Sequence, residues 1–218
     1  MSGEKDVEDT KFDIAKVLAN FKKCREDNVG SLTLEGYIAG YHELHKFFGQ
    51  LGAVFGFVGS DVQQKLVQLE CLRKSGAAES YVTVQAMMDY EKNNGILESD
   101  KAGNGCRTLL RLHRALAFIA DFLRELHDRA DEQKMASVCQ DSYKRTLAVH
   151  HPWLVQKGAL LAMYTLGTRG DIVAKAVGED PAEREQGKAT LLECVDTMQD
   201  VYNTMQGLYE ANGLADLP

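Results

Sequence analysis

The most distinctive charged group in the chain is a set of three arginines spaced by four and three residues. Residues 106–129 contain no Pro or Gly, so they predict one long helix, which places Arg107, Arg111 and Arg114 within about 60° of one another. The same row continues to Phe118 and Phe122. A cationic row that becomes aromatic suits an amphiphile with an anionic head and an apolar tail. Alternatively, the arginines are surface residues whose stems lie on apolar neighbours while their heads stay in water.

Asp61 and Lys65 form a second candidate pair, an acid and a base four residues apart. On a helix such a pair is often a surface ion pair that contributes about 0.3–0.5 kcal/mol. The row that carries it is otherwise apolar, through Val58, Leu69 and Leu72. A charged pair in an apolar row also fits a binding site, and the sequence leaves both interpretations open.

A third candidate group is His150, His151, Pro152 and Trp153, where Pro152 indicates the first turn of a helix. A histidine beside a helix start is commonly a structural hydrogen-bonding residue, and it can also donate to a ligand carbonyl. Trp153 is the only tryptophan, and it fits either a core position or an anchor at a membrane surface.

Sequence motifs for a cofactor, a metal ion or nucleophilic catalysis are missing. His42 and His45 are three residues apart and do not match the spacing of a zinc protease, and Gly103 and Gly105 lack the third glycine of a dinucleotide fingerprint. The five cysteines contain no pair with CxxC spacing, so neither a disulfide framework nor a zinc site is indicated. We expect no cofactor and no metal.

Composition predicts one all-α domain. The 218 residues are 44% hydrophobic, contain three prolines and show three- and four-residue periodicity over most of their length. We expect residues 1–9 to be disordered and residues 10–218 to form a single domain. A net charge of −7 argues against nucleic acid as a partner. There is neither an apolar signal core nor a run of about 18 apolar residues, so we expect a cytosolic protein.

Apolar periodicity predicts the elements that position these residues. Helices are expected over 12–25, 37–48, 81–93, 106–129, 135–150, 152 to about 166, 172–177 and 182–209. On the helix 106–129, a core stripe is expected from Leu109, Leu112, Leu116, Ile119, Leu123 and Leu126. Gly49, Gly52, Gly56 and Gly59 would share one helical face, which indicates close approach of a neighbour, room for something other than a side chain, or a partial loop.

Several short motifs together resemble the glycolipid transfer protein superfamily, and within it the ceramide-1-phosphate branch. The motifs are Ser60-Asp61-Val62, Lys65-Leu66, residues 105–116 (GCRTLLRLHRAL), His151-Pro152-Trp153, Thr165-Leu166 and Thr168-Arg169. The resemblance covers nearly the whole chain. It implies a two-layer helical sandwich of about eight helices that encloses an apolar lipid pocket.

The assignment of the sequence to the ceramide-1-phosphate branch depends on a few positions. The glycolipid branch has a Trp at the position of Arg111, which stacks on the sugar, and an Asn at the position of Lys65. It also has a Lys at the position of Gln68. Arg and Lys suit a phosphate, which carries up to two negative charges. The resemblance therefore implies a phosphorylated head group.

The resemblance also implies a role for each site residue. Lys65, Arg107 and Arg111 would hold the phosphate with support from Arg114, while Asp61 and His151 would bind the N–H and the carbonyl of the ceramide amide. From the helical rows and their apolar residues, we expect the lipid chains to lie among Phe55, Phe57, Phe118, Phe122, Val155 and Leu160. We also expect Trp153 to contact the membrane, as an aromatic anchor near the mouth of the pocket.

These roles imply a non-enzymatic lipid carrier, a monomer that touches membranes transiently. Three alternatives stay open: a glycolipid carrier, a helical adaptor that senses lipid, and a lipid hydrolase that uses Asp61 and His151.

Overall fold

The described part of the chain folds into nine α-helices joined by short connections. The computed structural model describes residues 11–25, 31–98, 104–178 and 180–218. The helices are α1 (Ile14–Arg25), α2 (Leu34–Gln50), α3 (Ala53–Arg73), α4 (Val84–Asn93), α5 (Gly105–Asp128), α6 (Met135–Arg145), α7 (Trp153–Met163), α8 (Arg169–Val177) and α9 (Pro181–Ala211). The predicted all-α class is confirmed, with one helix more than the expected eight. Residues 1–9 lie outside the described ranges.

The helix that carries the arginines, α5, lies at the centre of the packing. It contacts α3, α4, α6 and α9, while α1 bridges α2 and α9, so that α1, α2, α3, α5 and α9 form a closed ring. All six residues of its predicted core stripe are buried in one continuous hydrophobic cluster. Burial of this stripe fixes the rotation of α5 about its axis, and the arginine row is therefore held on one side of the molecule.

Buried polar side chains hold both ends of α5. At the start, the carboxylate of Glu91 accepts from the backbone N–H of Gly105 at 2.6 Å and of Cys106 at 3.0 Å. At the end, Nε of Arg169 donates to the carbonyl of Leu126 at 2.7 Å. An anion at the N-terminus and a cation at the C-terminus both complement the helix dipole. These bonds fix α5 along its axis as well.

A glycine is required at the start of α5 because Glu91 and its neighbours approach so closely. A Cβ atom at Gly105 would lie 2.5 Å from Sδ of Met87 and 3.0 Å from Oε1 of Glu91. A side chain at this position would therefore have to displace Met87 or the Glu91 carboxylate that accepts from the start of the helix. The first residue of the motif that carries the arginines is therefore set by packing rather than by ligand binding.

The glycine-rich stretch contains a break between two helices. α2 ends at Gln50, Gly52 has a φ of +112°, and α3 begins at Ala53. The interpretation as a partial loop is therefore correct for two residues. Of the other glycines, Gly59 would place a Cβ 3.2 Å from Nε2 of His45, whereas Gly49 and Gly56 face open space. No helix in the described ranges is both long and apolar enough to cross a membrane.

Candidate functional site

The arginine row lies along the accessible side of α5, and main-chain carbonyls hold its side chains. An Nη2 atom of Arg107 donates to the carbonyl of Leu97 at 2.9 Å, in the 3-10 turn Ile96–Glu98. Asn104 caps the helix, since its side chain accepts from the backbone N–H of Arg107 at 2.8 Å. The first arginine is thus fixed in both its backbone and its side chain.

The other two arginines contact the segment that follows α9. Nη2 of Arg114 donates to the carbonyls of Ala215 at 2.9 Å and of Leu217 at 3.2 Å. Nη2 of Arg111 donates to the carbonyl of Pro218 at 3.4 Å. The three arginines are therefore held by main-chain oxygens and are not free surface residues.

Asp61 and Lys65 on α3 form an ion pair, with Oδ1 of Asp61 2.5 Å from Nζ of Lys65. The two side chains differ in exposure, 59% for Asp61 and 15% for Lys65. One carboxylate oxygen holds the lysine while the other side of the exposed carboxylate faces outward. The pair can present a cation and an acceptor side by side.

His151 is held by Tyr143, a buried residue of α6 that the sequence analysis missed. The hydroxyl of Tyr143 lies 2.7 Å from Nδ1 of His151. Burial lowers the pKa of His151 and raises the pKa of Tyr143, so the imidazole is neutral and the phenol keeps its proton near neutral pH. When Tyr143 donates to Nδ1, the imidazole proton sits on Nε2. In that tautomer, His151 can donate a hydrogen bond to a ligand.

Electrostatic interactions connect Asp61 and Lys65 with Arg111 and Arg114 through the two histidines. Asp61 raises and Lys65 lowers the pKa of His151, both less strongly than burial does. Burial lowers the pKa of His150, and the charge of Arg114 adds to this effect. Burial also lowers the pKa of Arg114, Asp216 opposes that shift, and Arg111 adds to it. The structure thus brings together residues of α3, of α5 and of the connection between α6 and α7 that are far apart in the sequence.

The aromatic continuation of the arginine row lies next to this cluster. The rings of Phe118 and Phe122 stack with centroids 6.2 Å apart, and Phe118 meets Tyr143 edge-on at 6.0 Å. Tyr143 therefore joins the polar cluster to the aromatic residues. Phe55 and Phe122 are buried in the core, and Phe118 is half-buried.

The remaining residues predicted to line a lipid chain are less enclosed. Leu160 is partly buried against the core, and Val155 is exposed. The side chain of Phe57 lies outside what the structure describes.

A cavity of about 600 Å³ lies between α2 and α3. Its lining residues are His45, Gly49, Gly56, Gly59, Ser60, Gln63, Gln64 and Val67. None of the predicted chain-lining residues with a described side chain is among them. On α3, the lining face is about 150° from the face of Asp61 and Lys65. The cavity is thus distinct from the charged cluster, and the glycine pattern was its only signal in the sequence.

Helix α7 presents apolar side chains to the outside. Of its residues only Met163 is buried, while Trp153 is 68% and Leu154 is 75% exposed. Lys157 lies with its ammonium 5.7 Å from the centre of the Trp153 ring. Because α7 begins two residues after His151, this apolar surface lies beside the charged cluster.

A buried histidine under the arginine row makes stability depend on pH. His113 stacks on Tyr202 and donates from Nε2 to Gln206 at 2.8 Å. Burial lowers the pKa of His113 to about 4. The hydrogen bond to Gln206 opposes this shift, and the charges of Arg114 and His150 add to it. The unfolded chain therefore binds a proton between pH 6.5 and 4 that the folded chain does not.

We expect His113 to remove on the order of 3 kcal/mol of unfolding free energy as the pH falls from 6.5 to 4. Urea unfolding at several pH values measures this, and His113→Gln should flatten the dependence. The same substitution at His127, in the last turn of α5, is the control. Equal pH profiles for the wild type and His113→Gln would contradict the prediction.

Comparison with known proteins identifies the family. A model described as glycolipid transfer protein matches residues 32–178. The chain belongs to the glycolipid transfer protein family. This confirms the resemblance that the sequence motifs carry, including the stretch around the arginines. It also confirms the two-layer, all-helical fold that the resemblance implied.

Members of the glycolipid transfer protein family that bind ceramide-1-phosphate are similar over the full length. The human ceramide-1-phosphate transfer protein is 36% identical over 217 residues, which cover 98% of this chain and 100% of the human protein. The mouse protein of the same name is 36% identical over 213 residues, with coverages of 95% and 97%. These matches confirm the ceramide-1-phosphate branch.

Solved structures from the glycolipid transfer protein family superpose closely. The human ceramide-1-phosphate transfer protein in complex with 12:0 ceramide-1-phosphate gives a TM-score of 0.86 at 36% identity, and 95% of this chain covers 100% of that one. The ligand-free mouse protein gives 0.88 at the same identity and coverage. The helical arrangement around the charged cluster is therefore that of lipid transfer proteins.

Proposed function

We propose that this protein carries a phosphorylated sphingolipid, ceramide-1-phosphate, between membranes without changing it chemically. The observation that supports this most directly is the single row on α5 that begins with three arginines and ends in the stacked pair Phe118 and Phe122. An anionic head and an apolar chain can bind along such a row at the same time. The full-length similarity to ceramide-1-phosphate transfer proteins supports the same ligand.

The head-group site in this proposal consists of Lys65, Arg107 and Arg111, with Arg114 beside them. Guanidinium groups bind phosphate oxygens through paired charge-assisted hydrogen bonds, and an ammonium group binds as a compact charge. Lys65 is half-buried beside Asp61, and the arginines have donors held by neutral carbonyls. In this proposal, the guanidinium groups held in this way bind the phosphate.

Asp61 and His151 bind the amide of the ceramide in this proposal. An ionised carboxylate only accepts, and a neutral His151 that accepts from Tyr143 at Nδ1 donates from Nε2, so in that tautomer the pair matches an amide N–H and an amide carbonyl. The lipid chains extend among Phe55, Phe57, Phe118, Phe122, Val155 and Leu160. The polar groups that contact Asp61 and His151 are the Lys65 ammonium and the Tyr143 hydroxyl, respectively. Both are engaged in hydrogen bonds, and the products of the vesicle transfer assay distinguish a carrier from a hydrolase.

Replacing Asp61 by Asn should change lipid selectivity. Phosphatidic acid carries the same phosphate but has ester oxygens where ceramide has its amide, so the Asp61 carboxylate would face another acceptor. We expect Asp61→Asn to reduce the transfer rate of ceramide-1-phosphate partially. The ratio of its transfer rate to that of phosphatidic acid should fall about fivefold, since a charged acceptor is replaced by a neutral one. Transfer of both lipids between vesicles measures the ratio.

The control for Asp61→Asn is Arg107→Ala, which should slow both lipids alike because both carry the phosphate. If the two variants change the ratio of the two transfer rates equally, Asp61 does not select for the ceramide amide. It then acts as a counter-ion that positions Lys65.

Helix α7 is the membrane contact in this proposal, with Trp153 as its anchor. An apolar helix exposed beside a lipid head-group site can insert its side chains at a bilayer surface while the lipid moves in or out. Lys157 adds a cation next to the ring. Contact through one short helix is weak, which suits a carrier that must leave the membrane again.

We expect Trp153 fluorescence to shift to the blue when ligand-free anionic vesicles are added. The signal is specific because the chain has one Trp, and the ring is accessible. Leu154→Asp should weaken vesicle binding about tenfold, since it removes apolar area from the contact. Val82→Asp, at an exposed apolar residue before α4, is the matched control. A shift with soluble short-chain ligand but none with vesicles would instead place Trp153 at the head-group site.

A vesicle transfer assay tests the proposed function as a whole. Donor vesicles contain labelled ceramide-1-phosphate or labelled galactosylceramide, and lipid recovered from the acceptor vesicles is analysed by mass. The proposal requires intact ceramide-1-phosphate to move faster than galactosylceramide. Equal rates would indicate a glycolipid carrier, and a new product would indicate an enzyme.

The remaining parts of the proposal concern how the protein works in the cell. Residues 10–218 act as one lipid-transfer domain, since the described core residues form one cluster. All five cysteines lie in described ranges and are free thiols, which supports action in the reducing cytosol. The protein acts as a monomer, because the apolar α7 face must remain open to the membrane.

A further inference from the structure

The segment that follows α9 contacts two side chains of the arginine row, Arg111 and Arg114. Gly213 has a φ of +68° and turns the chain, after which the N–H of Leu214 donates to the carbonyl of Tyr209 at 2.8 Å. The side chain of Leu214 is buried, and Ala215 and Leu217 pack against the core. Residues 215–218 thus run from Arg114 toward Arg111.

These residues hold the arginines through carbonyl oxygens. Both hydrogens of Nη2 of Arg114 have an acceptor in the segment, the carbonyls of Ala215 and Leu217, and Arg111 donates to the main-chain oxygen of Pro218. An amide carbonyl accepts a hydrogen bond without a net negative charge, so the bonds to Ala215 and Leu217 orient the Arg114 guanidinium without adding an opposing charge at those atoms. Lys65, which a carboxylate holds, is the contrasting case.

We propose that residues 215–218 are a positioning element for phosphate recognition: their main-chain carbonyls fix Arg114 and Arg111 so that the remaining donors face the head group. The inference rests on the proposed function and adds a part of the chain to it. Arginine side chains lose much rotational freedom when they bind a ligand, and prior fixation removes that cost from binding. The segment then increases affinity for a phosphate-bearing lipid without touching the lipid.

The charge of Asp216 has a different role from the carbonyls. Asp216 raises the pKa of Arg114, against the larger lowering by burial, so the two charges attract each other. A negative charge there also repels a phosphate. Removing it while keeping the main chain should therefore leave phosphate affinity unchanged or slightly increase it.

A chain that stops after Leu214 tests the inference, because it keeps the buried Leu214 and its bond to Tyr209. Binding is measured with phosphatidylcholine vesicles that contain labelled ceramide-1-phosphate or labelled ceramide, and urea unfolding is measured in parallel. We expect the shortened chain to bind ceramide-1-phosphate about tenfold more weakly, because two arginines are no longer held in place before binding. It should bind ceramide with the affinity of the wild type. Asp216→Asn should bind both lipids as the full chain does.

Three results would overturn the inference. Equal losses for both lipids would show a purely structural segment, tighter binding of ceramide-1-phosphate would show that the segment competes with the phosphate, and a loss in Asp216→Asn equal to that of the shortened chain would assign the effect to charge. Failure of the proposed function is distinguishable, since the wild type would then bind ceramide-1-phosphate no better than ceramide.

Discussion

Replacing Arg111 by Leu will slow ceramide-1-phosphate transfer by about 10- to 100-fold. A charge-assisted hydrogen bond to phosphate contributes about 1.5–3 kcal/mol, and 1.4 kcal/mol corresponds to a factor of ten. Arg111 lies on the exposed side of α5, with one long hydrogen bond to Pro218, so the substitution leaves the core unchanged. The measurement is the initial rate of transfer between vesicles, together with the unfolding free energy.

The control for Arg111→Leu lies on the same helix. Arg124→Leu removes an exposed arginine that pairs with Asp196 at 2.8 Å, near the other end of α5. It changes the net charge equally but should leave the transfer rate close to that of the wild type. If both variants slow transfer alike, overall surface charge drives the interaction and Arg111 is not a phosphate ligand.

Replacing Glu91 by Ala will lower the unfolding free energy by on the order of 3–5 kcal/mol. The substitution leaves the N–H groups of Gly105 and Cys106 buried without their acceptor, and each such group costs about 1–3 kcal/mol. It also removes the anion from the start of α5 and leaves the Tyr81 hydroxyl, 3.2 Å from Glu91, without its partner. Urea unfolding measures the loss.

Two further variants sharpen this test. Glu91→Gln keeps one acceptor oxygen and should lose less than half as much stability, while Glu79→Ala removes an exposed acid of the preceding 3-10 turn and should lose almost none. A small loss in Glu91→Ala would mean that water or a local shift replaces the carboxylate. Arg107 follows directly after the capped residues, so transfer should decline along with stability across this series.

The arginine row and the core stripe of α5 could be predicted from the sequence because both belong to one continuous helix. Three- and four-residue spacing determines which side chains share a face, and no other part of the chain is needed for that step. Asp61 and Lys65 could be paired for the same reason. That α3 brings them to His151 required the family resemblance, since spacing within one helix says nothing about its neighbours.

Contacts between distant segments could not be predicted. Tyr143 reaches His151 because α6 ends at Arg145 and a 3-10 turn, Ala148–His150, brings the chain back. The prediction of one helix over 135–150 is therefore wrong. The N–H groups of Thr146 and Leu147 both bond to the carbonyl of Tyr143, which closes the helix there. Periodicity continued through the turn and concealed this closure.

Because Glu91 and Arg169 hold the two ends of α5, this helix and helix α7 should differ in how easily they move. A helix fixed in rotation by its core stripe and along its axis by an anion and a cation cannot yield when lipids of different chain length enter. Helix α7, with one buried side chain, resists displacement far less. In the proposed site, the head group and the chain segments near Phe118 and Phe122 meet a stiff helix, whereas the segments near Val155 and Leu160 meet a compliant one. We therefore expect the protein to tolerate different acyl chains while its preference for the head group stays constant.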